Sequence, residues 1–466
     1  MKIFQAPKPI SISLSPNTEK DDVRLALKMI LRIISPGTEA GFTSHQNLVG
    51  GKRGTDAEKL EEEFKKYLGV KYAFAFNSGR SALMAILQAS DIQKGDEVLL
   101  QAFTCNVAIN PILERGARPV FVDVDDTINM DPEDLKKKIT HSTGSGQTPK
   151  AVIIQHTFGW PARIDKILEI TRENNLFLIE DCAHSLGAKY EEQFCGTFGT
   201  VSFFSFGRDK IISSVFGGMA VTNDEKIGKR LEKFQRQLDF PSNLWIFQQL
   251  LHPILTNYLI LPAYGLNQYL GRIILGFFHK ISLLSKAVYK KEKEGEIPKY
   301  FPKKLPNALA ILALNQFRKL ERFNNHRRVM AEFYEKEFKN TQFILPLSKE
   351  QRDRLPIFMR YPVLIPAPKF GGKIETDRIL KEARKRKIYL DDGWRKSPVV
   401  PPDTNLEKMN YNLGSCPRAE RIAKSIINLP THINISKNEA KKITGFLKKQ
   451  SVYHISDSRQ KCGIME

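Results

Sequence analysis

Between residues 56 and 237, short apolar runs alternate with amphipathic segments. The runs at 72–76, 97–101, 119–124, 151–155, 176–179, 201–206 and 219–222 are near-continuously apolar, the pattern of strands covered on both faces. Helical spacing recurs between them at 81–88, 107–115, 132–139, 164–173 and 225–237. A helix over 56–68 precedes the first run, with Thr55 or Asp56 as its cap and Gly69 as its stop. Alternation of this kind predicts an α/β fold built on a large, mostly parallel sheet.

The pattern divides the chain. Residues 1–50 form an N-terminal arm with one amphipathic segment near 22–34, and 51–240 form the large domain. Residues 241–300 depart in character: they are rich in Leu, Ile, Phe and Tyr, broken by Pro253, Pro262, Gly265 and Gly271, and followed by a basic run at 286–293. Residues 301–450, opening on a helix at 307–336, form a smaller C-terminal domain, and 451–466 read as a loose tail. With 466 residues, 41% of them hydrophobic, the chain can bury more than one core.

A formal net charge of +21 suits an anionic substrate or an anionic surface. No basic recognition motif of the usual set accompanies it, which argues against nucleic acid. Five cysteines (Cys105, Cys182, Cys195, Cys416 and Cys462) fit neither a disulfide framework nor a zinc spacing. The expectation is a cytoplasmic protein without a metal, and the N-terminus shows no apolar stretch of signal-peptide length.

In parallel sheets ligands sit beyond the carboxyl ends of the strands. Five strand ends here carry polar residues: Asn77-Ser78-Gly79, Phe103-Thr104, His156, Asp181 with His184, and Ser205 with Lys210. Asn77-Ser78-Gly79-Arg80-Ser81 links a strand to a helix and offers backbone N–H groups to a phosphate. Read structurally, it is a plain helix cap. Asp181 closes a buried strand, where a carboxylate is costly unless a cation meets it; a helix cap or ion pair is the alternative. Lys210 follows the strand ending near Ser205. A lysine amine that attacks an aldehyde and a carboxylate that pairs with a pyridine nitrogen and keeps it protonated are the needs of pyridoxal 5'-phosphate (PLP) chemistry. His184 could lie against the ring, Ser205 could donate to the phosphate, and Arg208 is a further phosphate partner.

These motifs resemble the DegT/StrS-type family of PLP-dependent sugar aminotransferases, of the aspartate-aminotransferase fold type I. The likeness covers roughly residues 46–449 apart from 240–300. Its carriers are Asn77-Ser78-Gly79-Arg80-Ser81-Ala82-Leu83, Gly95-Asp96-Glu97-Val98, Gly116-Ala117-Arg118-Pro119, Glu180-Asp181-Cys182-Ala183-His184-Ser185, Gly196-Thr197-Phe198-Gly199, Cys416-Pro417-Arg418-Ala419-Glu420 and Asn428-Leu429-Pro430. The resemblance implies a large sheet domain, a smaller α+β domain and a homodimer. It implies transfer of an amino group, usually from glutamate, to a keto group of a nucleotide-linked sugar. Lys210 would hold the cofactor as a Schiff base and move the proton, and Asp181 would pair with the pyridine nitrogen. Ser78, Gly79, Arg80 and Ser205 would hold the phosphate; Thr104, Cys105 and His184 would complete the cofactor site. A dehydratase branch carries histidine in place of the lysine, so Lys210 speaks for transamination. Thr104-Cys105 stands where the family has threonine and an aromatic residue, which passes ring stacking to another side chain such as Phe103. Pro302-Lys303-Lys304 replaces an Asn-Tyr-Arg segment.

No apolar stretch in 240–300 reaches the ~18 residues of a membrane span. Its amphipathic pattern, with Trp245, Tyr258, Phe277 and the basic run, suits peripheral contact with a membrane. A lid or a dimer contact is the alternative.

Overall fold

The computed structural model describes residues 8–34, 55–144, 149–346, 353–366 and 376–461. Arm residues 1–7 and 35–54, and tail residues 462–466 with Cys462, lie outside them. The large sheet has seven strands: β1 (Tyr72–Phe76), β2 (Glu97–Gln101), β3 (Arg118–Val122), β4 (Pro149–Gln155), β5 (Phe177–Asp181), β6 (Val201–Ser205) and β7 (Gly218–Thr222). Their order is β1-β7-β6-β5-β4-β2-β3. The pairs from β6 through β3 are parallel, and β7 alone runs antiparallel to both its neighbours. All seven runs read from the sequence are strands. Their ends move by at most two residues; one such shift puts Asp181 inside β5, the run having ended at Ile179.

Helix Asp56–Leu68 has the bounds its pattern predicted. Thr55 caps it in a reciprocal box with Glu58, and Gly69 stops it at φ 70°. The predicted helix 307–336 is two helices, Asn307–Phe317 and Leu320–Phe338. The break falls at Lys319, whose N–H turns to Gln316 O at 3.0 Å while its ammonium reaches the arm carboxylates Asp21 and Asp22. Helix Lys437–Lys461 carries on past Ser451, where the sequence suggested a loose tail.

A second core lies among Leu320–Phe338, Thr376–Lys385 and the last helix, around the antiparallel pair Arg360–Leu364 and Ile426–Pro430. The arm ties this unit to the large sheet. Ile10–Ser11 pairs in parallel with Ile388–Tyr389. Asn17 donates to the carbonyls of Lys210 (2.5 Å) and Ile211 (3.2 Å). Fully buried Arg327 donates to Asn17 Oδ1 (2.9 Å), Ile211 O (2.8 Å) and Asn324 Oδ1 (3.0 Å). With no carboxylate paired to it among the described residues, burial pulls its pKa down to about 9.

The insertion is helical: Asn243–Leu255 runs through a π turn at Thr256–Ile260 into Leu261–Leu266, and Gln268–Lys280 folds back on it. Among the described residues no helix is long and apolar enough to cross a membrane.

Arg327→Met should cost about 3 kcal/mol, because Asn17 and the Ile211 carbonyl lose buried partners. Urea unfolding checks this; an unchanged midpoint would remove the arm from the support of the lysine loop.

Candidate functional site

One cavity opens beyond the carboxyl ends of the parallel strands. Ser78, Gly79 and Arg80 line it after β1, Cys105 after β2, Gln155 at the end of β4, Asp181 at the end of β5 with His184 beyond it, Ser205 at the end of β6 and Gly207 to Lys210 after it. The C-terminal unit closes the far side with Met359, Arg360, Asp392 and Trp394, and the insertion adds Ala287 and Val288.

Close backbone contact shapes one end. A Cβ on Gly218 would sit 2.5 Å from Gly79 N, and one on Gly79 would sit 3.0 Å from Ser205 Cβ. β7 and β6 therefore press against the turn that opens helix Gly79–Ala89. Ser78 caps that helix, accepting from Ser81 N–H at 3.1 Å, so the structural reading of this serine holds as well. The free N–H groups and the positive end of the helix dipole make this end a seat for an anion.

At the other end lies Asp181. Its Oδ1 accepts from Ala183 N–H at 2.9 Å, and burial raises its pKa, with that N–H and Lys210 opposing. No ion pair forms with it among the described residues. Its neighbour Glu180 points the other way and accepts from the N–H groups of Gly196 (2.8 Å), Phe198 (2.7 Å) and Gly199 (2.7 Å) and pairs with His156 (3.1 Å). Alternation along the strand thus gives one carboxylate to the loop behind the sheet and one to the cavity.

Lys210 faces the same cavity. Burial lowers its pKa to about 8; Asp181 and Cys105 oppose the shift, while Arg360 and Arg80 add to it. His184 is held neutral, its pKa well below the usual value through burial and then the charges of Lys210 and Arg360. Its Nδ1 accepts from Phe158 N–H at 3.4 Å, which leaves the proton on Nε2.

Three expected contributors are deployed differently. Thr104 does not line the cavity; its hydroxyl donates to Gln155 Oε1 at 2.8 Å, and Gln155 faces the space instead. His156, expected on the rim, is buried against Glu180. Arg80 lines the cavity, but its Nε pairs with buried Glu292 at 2.5 Å and its Nη2 donates to Ala287 O at 2.6 Å. Cys105 is on the wall as expected, its thiol pKa raised by burial. Phe103 is wholly buried behind the cavity, edge-on to Trp394 at 5.7 Å, so it does not supply a stacking face. Lys303 and Lys304 turn to Asp239 and Arg236 O, away from the cavity.

Sequence reading missed the far wall. Arg360 pairs with Asp392 at 2.8 Å, and Asp392 also accepts from Trp394 N–H and Asn428 Nδ2, each at 2.9 Å. Arg360 is 5% exposed, and its Nη1 lacks a well-aligned hydrogen bond. The Asp391-Asp392-Gly393-Trp394 turn and a cation opening an apolar strand were the available signals. Residues 285–292 roof the cavity: Arg208 donates to Ser285 O and Oγ, both at 2.9 Å, and Asn106 and Asn110 donate to Glu292 O at 2.8 Å.

Residues 44–238 and 280–448 match the model of the DegT/DnrJ/EryC1/StrS aminotransferase family. The chain is 27% identical over 389 residues to a GDP-perosamine synthase of Escherichia coli O157:H7, covering 83% of this chain and 88% of that protein. A dTDP-4-dehydro-2,6-dideoxy-D-glucose 3-dehydratase of Saccharopolyspora spinosa is 29% identical over 284 residues, 59% of this chain and 55% of that protein. The Helicobacter pylori PseC structure, an aminotransferase involved in the biosynthesis of pseudoaminic acid, superposes with a TM-score of 0.66 at 20% identity, over 96% of this chain and all of that one. At that identity it establishes the shared fold.

Only the neutral amine is a nucleophile, so in cofactor-free protein Lys210 should react with aldehydes about tenfold faster per pH unit below 8 and level off above it. Peptide mass spectrometry across pH measures this. A rise continuing to pH ~10.4, the unperturbed lysine value, would contradict the depressed pKa.

Proposed function

The chain belongs to the DegT/DnrJ/EryC1/StrS aminotransferase family, and we propose that it carries PLP on Lys210 and moves an amino group from an amino acid, glutamate foremost, to a keto group of a nucleotide-linked sugar. One observation carries this reading: the Lys210 amine and the Asp181 carboxylate, which has no ion pair among the described residues, share a cavity whose other end is a helix N-terminus. The chemical types lining the cavity fit the cofactor, with a cation-seeking carboxylate for the pyridine nitrogen, an amine for the aldehyde and N–H donors for the phosphate. When bound, PLP supplies the carbonyl that exchanges amines and the ring that draws electrons from the reacting carbon.

The residues of this chain supply the rest. Asp181 keeps a proton on the ring nitrogen. Lys210, with its pKa near 8, releases and regains a proton at working pH. Ser78, Gly79 and Ser205 hold the phosphate, and Arg80 and Arg208 add positive potential from their posts on Glu292 and Ser285. His184 presents a neutral N–H beside the ring. Cys105 leaves an uncharged wall, and Thr104 acts through Gln155.

Arg360 suits the donor. In an amino acid the carboxylate sits on the reacting carbon itself, whereas the diphosphate of a nucleotide sugar lies across the sugar. A cation whose charge is felt by both Lys210 and His184 therefore fits the carboxylate. Lys210 favours amino transfer over dehydration, following the family pattern. The active assembly in this reading is a homodimer.

Supplying 15N-glutamate and a panel of nucleotide-linked keto sugars tests the assignment. Label should enter a nucleotide sugar, and Lys210→Ala should lower the rate roughly 1,000-fold. Cofactor-loaded protein that transfers no label to any member of the panel would contradict the substrate class. Arg360→Gln should raise KM for glutamate roughly 10- to 100-fold and leave KM for the keto sugar in place. A rise for the sugar alone would reassign Arg360.

A further inference from the structure

The segment outside the family match, 239–279, carries a surface that amino transfer does not use. From residue 240 to 291 there is not one Asp or Glu, while Arg272, Lys280, Lys286, Lys290 and Lys291 are all present and exposed. Helix Gln268–Lys280 is apolar on two sides. Its inner side sets Ile274, Leu275 and Phe278 against Ile260, Tyr264 and Leu284. Gly271 lets it close on the preceding helix, since a Cβ there would lie 2.3 Å from the Tyr264 ring. The outer side presents Tyr269 (64% exposed), Ile273 (67%) and Phe277 (55%), a stripe at i, i+4 and i+8. Tyr258 and Leu266 in the adjoining turn and helix are exposed as well (68% and 61%).

An apolar stripe of this kind needs an occupant. Interfaces between soluble proteins carry a polar rim of mixed character. Aromatic and aliphatic side chains within a segment whose only charges are positive match the boundary of a bilayer containing anionic lipid. We propose that Tyr269, Ile273 and Phe277, with Arg272 and Lys280 beside them, dock the protein on the surface of an anionic lipid bilayer. The helix lies in the interface and does not span it, in keeping with its 13 residues. The chain then runs from Lys280 into the 285–292 strap over the cavity, so the docking helix is joined directly to the roof of the site. This inference is independent of the substrate assigned above.

Flotation of the full-length, PLP-loaded protein tests it, using vesicles of phosphatidylcholine alone or mixed with phosphatidylglycerol. The protein should float with the mixed vesicles, less with phosphatidylcholine, and less again at high salt. The Tyr269→Ser, Ile273→Ser, Phe277→Ser variant should lose about tenfold or more of that binding while its amino-transfer rate and elution volume stay unchanged. Arg272→Glu with Lys280→Glu, a change at exposed positions only, should abolish preference for the anionic vesicles. Absence of flotation, or flotation unaffected by both variants, would overturn the proposal. A shift of the serine variant to a smaller assembly would overturn it too, by assigning the stripe to a second copy of the chain.

Discussion

A carboxylate at the end of a central strand, buried and without an ion-pair partner among the described residues, governs the rest of this molecule. Asp181 is costly where it stands unless a cation comes to it. The nearest lysine of the cavity, Lys210, is itself pushed toward neutrality by burial. The two therefore complement a ligand with a protonatable nitrogen at one end and a carbonyl near the other, better than they complement each other.

Much of the surrounding structure fixes these two groups in place. Glu180 gathers the N–H groups of Gly196, Phe198 and Gly199 beneath β5 and so anchors the strand end that presents Asp181. Asn17 and Arg327 take the carbonyls of Lys210 and Ile211, binding the lysine loop to the arm and to helix Leu320–Phe338. On the far wall Asn428 and the Trp394 N–H hold Asp392, which in turn holds Arg360. The insertion contributes a strap whose Glu292 holds Arg80 in place. The phosphate end is thus furnished by backbone and hydroxyls, with the guanidinium groups held at its margin.

The sheet and the near wall were legible because both follow from local rules. Buried parallel strands are continuous apolar runs, and polar residues at their carboxyl ends mark one rim. Legibility failed where a side chain's direction depends on distant partners. Thr104 and His156 sit at the right strand ends but turn to Gln155 and Glu180. Arg360, Asp392 and Trp394 reach the cavity from the C-terminal unit, more than 140 residues from the lysine in sequence.

The most direct measurement is to incubate the protein with PLP, reduce with borohydride, and map the modified peptide by mass spectrometry. The account requires a single phosphopyridoxyl group on Lys210 in the wild type, none in Lys210→Arg, and a much weaker signal in Asp181→Ala. Modification of a different lysine with Lys210 intact, or labelling indifferent to Asp181, would contradict it.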